Sequence, residues 1–211
     1  MRFAGRTDAG VHAAGQVAAI EVPARWSAGT LQRALNARLP ADIAVVAATE
    51  APAGFDPRRR ALWRRYRYQV WNAEFRSPLL RRSAWHVRHV LDDAAMQRAA
   101  ALLVGEHDFA SFAATLKQAD ATTLRMMHEA AVAREGRLLR LEFRANAFLP
   151  HQVRRMVGVL VELGRGRLCE QEIATWLHEP RPGAAGPAAP PEGLCLVDVA
   201  YAELRFEVGD T

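Results

Sequence analysis

The sequence predicts an α+β protein whose second half is a ferredoxin-like βαββαβ unit. Three observations carry that prediction: strict alternation over Arg65–Trp71, a hairpin pattern centred on Glu135-Gly136, and two helical stripes that fall between the strands. At 211 residues the chain can bury the core of one good-sized domain, or two small ones, without disulfides or metals. Apolar residues make up 50% and charged residues 24%, the balance of a globular chain, so disorder is excluded. No run of about 18 apolar residues occurs, which excludes a membrane helix. Met1–Arg6 has no signal-peptide core and the two cysteines, Cys169 and Cys195, form no CxxC pair. A reducing cytoplasm is therefore the expected location.

In chain order, Arg2–Ala4 is a short strand remnant, and Gln16–Val22 is an apolar, β-branched strand closed by Pro23. Ser27–Leu39 is a helix: Ser27 caps it, Leu31, Leu35 and Leu39 recur every four residues, and Pro40 ends it. Ile43–Thr49 is a further strand, followed by a Pro/Gly connection over 52–57. Along Arg65–Trp71, Tyr66, Tyr68 and Val70 share one face while Arg65, Arg67 and Gln69 share the other. Asp92 or Asp93 caps a helix reaching about Val104, and Gly105–Phe112 reads as a loop. Met126–Arg134 and Leu138–Asn146 are the arms of the hairpin. Leu149–Leu163 is helical, with Val153, Val157, Leu160 and Val161 on one stripe and Gly164 and Gly166 to stop it. Pro180–Pro191 is a linker or surface loop, and Leu194–Tyr201 is the last strand. Both helices of the second half lie on one face of its sheet. Residues 1–60 supply strand, strand, helix and strand, the remnant of a first ferredoxin-like half that lacks its leading strand and helix. Residues 61–211 form the second half, with an active-site cleft expected between the two.

The formal charge is +5 and the isoelectric point about 10.0. Lys117 is the sole lysine among 28 basic residues, so arginine dominates, in part as expected of a GC-rich genome. Arg58, Arg59, Arg60, Arg64, Arg65 and Arg67 crowd into ten residues and interleave with Trp63, Tyr66 and Tyr68. Guanidinium groups fork onto phosphate oxygens and aromatic faces stack on bases, which is a pattern for RNA. The same pattern also suits a solvated strand face with aromatics packed beneath it.

The sharpest local string is Gly5-Arg6-Thr7-Asp8-Ala9-Gly10-Val11-His12-Ala13. It sets a carboxylate between an arginine and a glycine turn, where hydrogen bonds and a cation can keep Asp8 ionised and aimed as a nucleophile. An Asx-turn joining two strands is the alternative.

That string resembles the active-site motif of the TruA family of tRNA pseudouridine synthases. The likeness continues through Arg65-Tyr66-Arg67-Tyr68, Gly105-Glu106-His107-Asp108-Phe109-Ala110-Ser111-Phe112, Asn146-Ala147-Phe148-Leu149, Val153-Arg154-Arg155-Met156-Val157-Gly158 and Glu192-Gly193-Leu194-Cys195-Leu196. The motifs keep their order over essentially the whole chain. The resemblance implies the pseudouridine synthase fold, two ferredoxin-like halves forming a mixed, mainly antiparallel sheet. It also implies a homodimeric isomerase, an intramolecular transferase that converts uridine to pseudouridine at positions 38, 39 and 40 of the tRNA anticodon stem-loop, without cofactor or metal. Asp8 then matches the nucleophile that forms a covalent adduct at the base C6 or the ribose C1′. Tyr66 matches the tyrosine that stacks on the target base and helps remove the C5 proton, and Arg154 the arginine paired with the aspartate. Arg6 and His12 fall in the matched motif as RNA contacts, and Arg58, Arg65, Arg67 and Arg155 line the path of the phosphates. Members of that family carry a first strand and helix ahead of the Gly-Arg-Thr-Asp string. The corresponding expectation is a reading frame that starts upstream of Met1, or else an inactive, noncatalytic RNA-binding chain.

A bound RNA that excludes water favours a neutral carboxyl, and a paired arginine opposes that change. Flipping a base costs a few kcal/mol of unstacking, part of which an aromatic face offsets. Other candidates carry less. His86 and His89 have no cysteine near to complete a zinc site, and His107-Asp108 is expected to stabilise its loop. His151 follows Pro150 at a helix start, where members of that family often carry other residues before the Val-Arg, a departure that bears only on local RNA contacts, and Cys169 and Cys195 are expected to be small buried residues.

Overall fold

A computed structural model describes residues 1–114 and 122–206. In chain order the elements are β1 (Arg2–Phe3), β2 (His12–Ala13), β3 (Ala18–Ala19), α1 (Ala28–Asn36), β4 (Ala61–Asn72), β5 (Trp85–Val87), α2 (Asp93–Ala101), β6 (Gly105–Asp108), β7 (Leu124–Glu135), β8 (Leu138–Ala145), α3 (Gln152–Gly164), α4 (Glu170–His178) and β9 (Leu194–Tyr201). They divide into two units. One comprises Met1–Arg6, Gln16–Leu62 and the residues from Val199 onward; the other comprises Thr7–Gly15 and Trp63–Asp198.

The larger unit is built on a sheet in the order β2-β9-β4-β8-β7-β6, with β5 pairing β4. The pairs β4/β8, β8/β7 and β7/β6 are antiparallel, while β2/β9 and β4/β5 are parallel. The sheet is thus mixed and mainly antiparallel, as expected. Strands β4, β7, β8 and β9 with helices α2 and α3 make the βαββαβ run. Alternation along β4 sends Tyr66, Tyr68 and Val70 into the core, where they meet Leu139, Leu141 and Phe143 of β8 on the same face. Each large side chain so buried contributes roughly 1.5–3 kcal/mol. The buried stripe of α3, Val153, Met156, Val157, Leu160 and Val161, joins Met96, Ala99 and Ala100 of α2 in that core. The helices approach closely at Gly164, where a Cβ would stand 2.7 Å from the Met96 sulfur. Asp92 caps α2 through the Ala95 amide at 2.9 Å, and α2 ends at Ala101 rather than Val104.

Several elements of this unit differ from the sequence reading, which did not anticipate the short strands β2 and β5. Gly105–Asp108 is not loop but an edge strand on β7, and only the residues after it form a short 3₁₀ turn, Ala110–Phe112. Helix α4 was not expected, because its N-cap is Cys169 instead of Ser, Thr or Asp. Glu172 substitutes by accepting the Cys169 amide at 2.9 Å. Cys169 is therefore exposed and Cys195 half-buried, so neither is the fully buried residue expected. Of the two readings of Pro180–Pro191, the surface loop holds and the linker does not: Ala185 and Ala189 are buried, and the Ala185, Gly183 and Ala189 amides bond the Ser111, Ala110 and Arg154 carbonyls.

In the smaller unit, β1 pairs β3 over two residues only. The strand expected over Gln16–Val22 is shortened to Ala18–Ala19 because the Gln16 side chain takes both backbone groups of Gly5. Helix α1 starts at the expected cap, Ser27 accepting from the Thr30 amide. Ile43–Thr49 forms no strand. Val45 and Val46 bond side chains instead: Asn36 binds both the Val45 amide, at 2.7 Å, and its carbonyl, while Gln32 donates to the Val45 and Val46 carbonyls. Phe55 packs edge-on against Tyr201 at 5.2 Å, and Tyr201 donates to the Pro57 carbonyl.

The loop Thr7–Gly15 is fastened to β9. His12 and Ala13 pair with Cys195 and Leu196, and the Ala14 and Gly15 amides both donate to the Leu196 carbonyl. Gly10 takes a left-handed φ of 84° beneath Pro191. A Cβ on Gly15 would lie 2.3 Å from the Val197 carbonyl oxygen, so only a backbone shift could admit it. Gly15→Ala is expected to lower stability by about 1–3 kcal/mol in urea denaturation. Gly29→Ala, whose Cβ meets nothing nearer than 3.7 Å, is expected to lose none.

Candidate active site

The turn that carries Asp8 is closed by the Val11 amide on the Asp8 carbonyl at 3.0 Å. With the loop fastened on β9, the Asp8 carboxylate reaches the first turn of α3. Arg154 Nη1 donates to Asp8 Oδ2 at 2.7 Å. Arg154 is held from its other side, since its Nε donates to the Ala189 carbonyl at 2.7 Å and its own carbonyl accepts the Ala189 amide at 2.9 Å. The arginine side chain is 15% exposed and the aspartate 39%. The cation is thus the more buried partner and the carboxylate the more exposed one. Charge-assisted bonds at this distance are the strong class, and the fork geometry of a guanidinium lets it hold carboxylate and carbonyl together.

Tyr66 is 9% exposed and stands against Phe148, ring centroids 5.2 Å apart and planes at 87°. Burial pushes its phenol pKa above 10, Arg64 opposes that shift, and the negative charge of Asp8 adds to it. Tyr66 and Asp8 thus share one electrostatic neighbourhood. Tyr68, two residues along, donates to the Pro190 carbonyl at 2.7 Å, and burial pushes its phenol up much further. Gly193 passes so close over the Tyr68 ring that a Cβ would meet it at 2.6 Å. Asn146 fixes the approach to Phe148, its Oδ1 accepting the Met126 and Ala147 amides while its carbonyl accepts from Arg64.

Of the residues singled out in the sequence, Asp8, Tyr66 and Arg154 converge here. Arg65 and Arg67 do not, because alternation along β4 turns them to the face opposite Tyr66. There Arg67 Nε donates to Glu142 at 2.8 Å, and Arg65 lies 3.9 Å from Glu129 and over the Trp63 ring. Arg155 points to the Gly183 carbonyl at 3.0 Å. His12 bonds the Arg82 carbonyl, tying the Asp8 loop to the segment before β5. Arg6 and Arg58 are exposed and belong to the smaller unit, the Arg58 amide donating to the Asp56 carboxylate. His107 bonds the Val104 carbonyl and Asp108 accepts the Ala110 amide, the loop-stabilising role expected of them.

The residue the sequence reading underrated is His151. Its Nε2 lies 3.5 Å from Asp8 Oδ2, the oxygen that Arg154 also holds. The Pro-His-Gln string before the Val-Arg motif was the available signal, but nothing in spacing alone says that a helix N-terminus faces a loop about 140 residues earlier. Among the described residues no group of three or more His, Cys, Asp or Glu side chains is arranged to hold a metal. A carboxylate with one oxygen engaged and the other free can act as a nucleophile toward an electrophilic carbon.

Comparison with known proteins places the chain in a family. Residues 99–202 match the family model described as tRNA pseudouridine synthase. The chain is 46% identical over 201 residues to a protein of Geobacter sulfurreducens named tRNA pseudouridine synthase A, covering 95% of this chain and 82% of that one. It is 47% identical to the protein of that name from Acidiphilium cryptum, over 94% of this chain and 78% of that one. The Myxococcus xanthus protein of the same name is 44% identical over 94% and 75%.

The buried phenols generate a prediction for stability. The folded state keeps protons on Tyr66 and Tyr68 that the unfolded chain gives up as pH climbs past the ordinary value of 10.0. Unfolding then releases protons, so stability falls with pH above that value. Urea denaturation between about pH 9 and pH 11 is expected to follow this decline, and Tyr66→Phe to make it shallower.

Proposed function

Since the chain belongs to the tRNA pseudouridine synthase A family, we propose that it isomerises uridine to pseudouridine in tRNA, with Asp8 as the nucleophile. The observation that carries this reading is the Asp8–Arg154 pair at 2.7 Å, with Tyr66 near enough for the charge of Asp8 to raise its phenol pKa. A uridine reaching Asp8 must leave its stack, and the aromatic pair Tyr66–Phe148 supplies a replacement contact.

The chemistry needs few groups. Asp8 adds to the ribose C1′ or to the base C6, and the N1–C1′ bond breaks. The uracil turns, C5 bonds to C1′, Asp8 departs, C5 loses its proton and N1 gains one. Atoms and oxidation state balance, so the reaction requires no cofactor. Arg154 sets a fixed positive charge on Asp8 Oδ2, and its bond to the Ala189 carbonyl keeps that charge in place. Tyr66, its phenol kept neutral by burial, contributes the stacking face and a hydroxyl near the leaving C5 proton.

The reading extends to the anticodon stem-loop as the target, to a homodimer as the working form and to the cytoplasm as the location. The basic balance of the chain supports an RNA partner, with Arg6, His12 and Arg58 as further RNA contacts. No helix among the described residues is long and apolar enough to cross a membrane. Tritium release from tRNA carrying [5-³H]uridine tests the proposal. Asp8→Asn is expected to lower turnover by at least ~10³-fold while tRNA binding persists and weakens with added salt. Undiminished turnover in that variant would refute Asp8 as nucleophile, and salt-dependent binding without turnover by the unaltered chain would mark it as an RNA-binding protein alone.

A further inference from the structure

His151 is the one non-glycine residue with positive φ among the described residues, at φ 61° and ψ 2°. A histidine in the left-handed region is under mild strain and persists where its surroundings over-determine it. Here they do. The Gln152 amide donates to the Leu149 carbonyl at 3.1 Å, and the buried Gln152 side chain accepts the Leu149 amide at 2.8 Å. The Ala114 amide takes the Pro150 carbonyl, and the His151 carbonyl accepts the Arg155 amide as the first rung of α3. His151 stands at the N-cap position, yet its side chain makes no cap bond. The strained turn therefore serves no helix-capping purpose. What it does is carry the imidazole to 3.5 Å from Asp8 Oδ2.

Both groups that reach the carboxylate, His151 and Arg154, fall on Oδ2. Among the described residues no side chain bonds Oδ1. A carboxylate fixed by one oxygen through a single donor can still swing about its Cβ–Cγ bond; a second polar group against the same oxygen, as His151 is at 3.5 Å, restrains that rotation. We propose that His151 is a positioning residue for the nucleophile: with Arg154 it holds Oδ2 of Asp8, so that Oδ1 is the oxygen presented to the uridine. The proposal rests on the reading of Asp8 as nucleophile, and it gives the left-handed turn before α3 a purpose in the reaction. The neighbouring Gln152 and Pro150 act on the backbone alone, setting the turn from which the ring projects.

The test separates this role from an RNA contact and from a structural one. His151→Gly removes the ring and relieves the backbone, because glycine adopts this φ freely; His151→Asn removes the ring with a residue that tolerates it. Both are expected to melt no lower than the unaltered protein. In steady-state tritium release, both are expected to lower kcat about 10-fold or more with KM for tRNA changed less than about 3-fold. Free imidazole added to His151→Gly is expected to restore part of kcat and to leave Asp8→Asn inactive. Unchanged kcat in both variants overturns the proposal, as does a rise in KM at constant kcat, which would make His151 an RNA contact. A fall in kcat that imidazole does not relieve also overturns it. Asp8→Asn with full turnover instead removes the reading of the site itself, whatever His151 does.

Discussion

A guanidinium shared between a carboxylate and a backbone carbonyl is the constraint on which the site depends. Arg154 is the more buried partner of Asp8, and removing a cation from water is costly unless its donors are used. Two of them are, on Asp8 Oδ2 and on the Ala189 carbonyl. The Ala189 end is itself braced. Its amide returns to the Arg154 carbonyl, the Gly183 and Ala185 amides bond the Ala110 and Ser111 carbonyls, and Ser111 Oγ accepts the Arg181 amide while donating to the Trp176 carbonyl. A segment rich in proline, glycine and alanine thus becomes a rigid strap over α3. Gly158 lets it lie close, since a Cβ there would stand 2.8 Å from the Pro187 carbonyl oxygen.

The opposite partner is positioned by different means. The loop carrying Asp8 has no large buried side chains, so its placement comes from backbone pairing with β9 and from the two glycines, Gly10 and Gly15, that allow the approach. Helix and strap fix the cation; a strand edge fixes the anion. Tyr66 arrives from a third direction, on the buried face of β4, where Phe148 limits its movement. The convergence of three separately anchored elements explains why the motifs that make the site are spread over the chain.

Much of this was legible in the sequence, where a local rule sufficed. The alternation of β4, the hairpin turn at Gly136, the stripe of α3 and the cap at Ser27 each follow from nearest-neighbour chemistry. Elements failed where a side chain took over a backbone role. Asn36 and Gln32 satisfy Val45 and Val46, so Ile43–Thr49 has no need of a ladder. Cys169 and Glu172 cap α4 without a standard N-cap residue. In the site, Asp8, Tyr66 and Arg154 were legible through family resemblance. The outward face of Arg65 and Arg67 was legible from alternation alone, and it is there that they meet Glu129 and Glu142. The place of His151 was not, because it depends on a left-handed turn and on a contact between distant segments.

The shared guanidinium is tested most directly by the turnover of Arg154→Lys on tRNA. Lysine keeps the charge but cannot reach carboxylate and carbonyl at once in a fixed plane. If the double hold on Arg154 is what orients Asp8, kcat falls by about 10²-fold or more while KM for tRNA stays within about 3-fold. An Arg154→Lys enzyme with unchanged kcat would contradict that account.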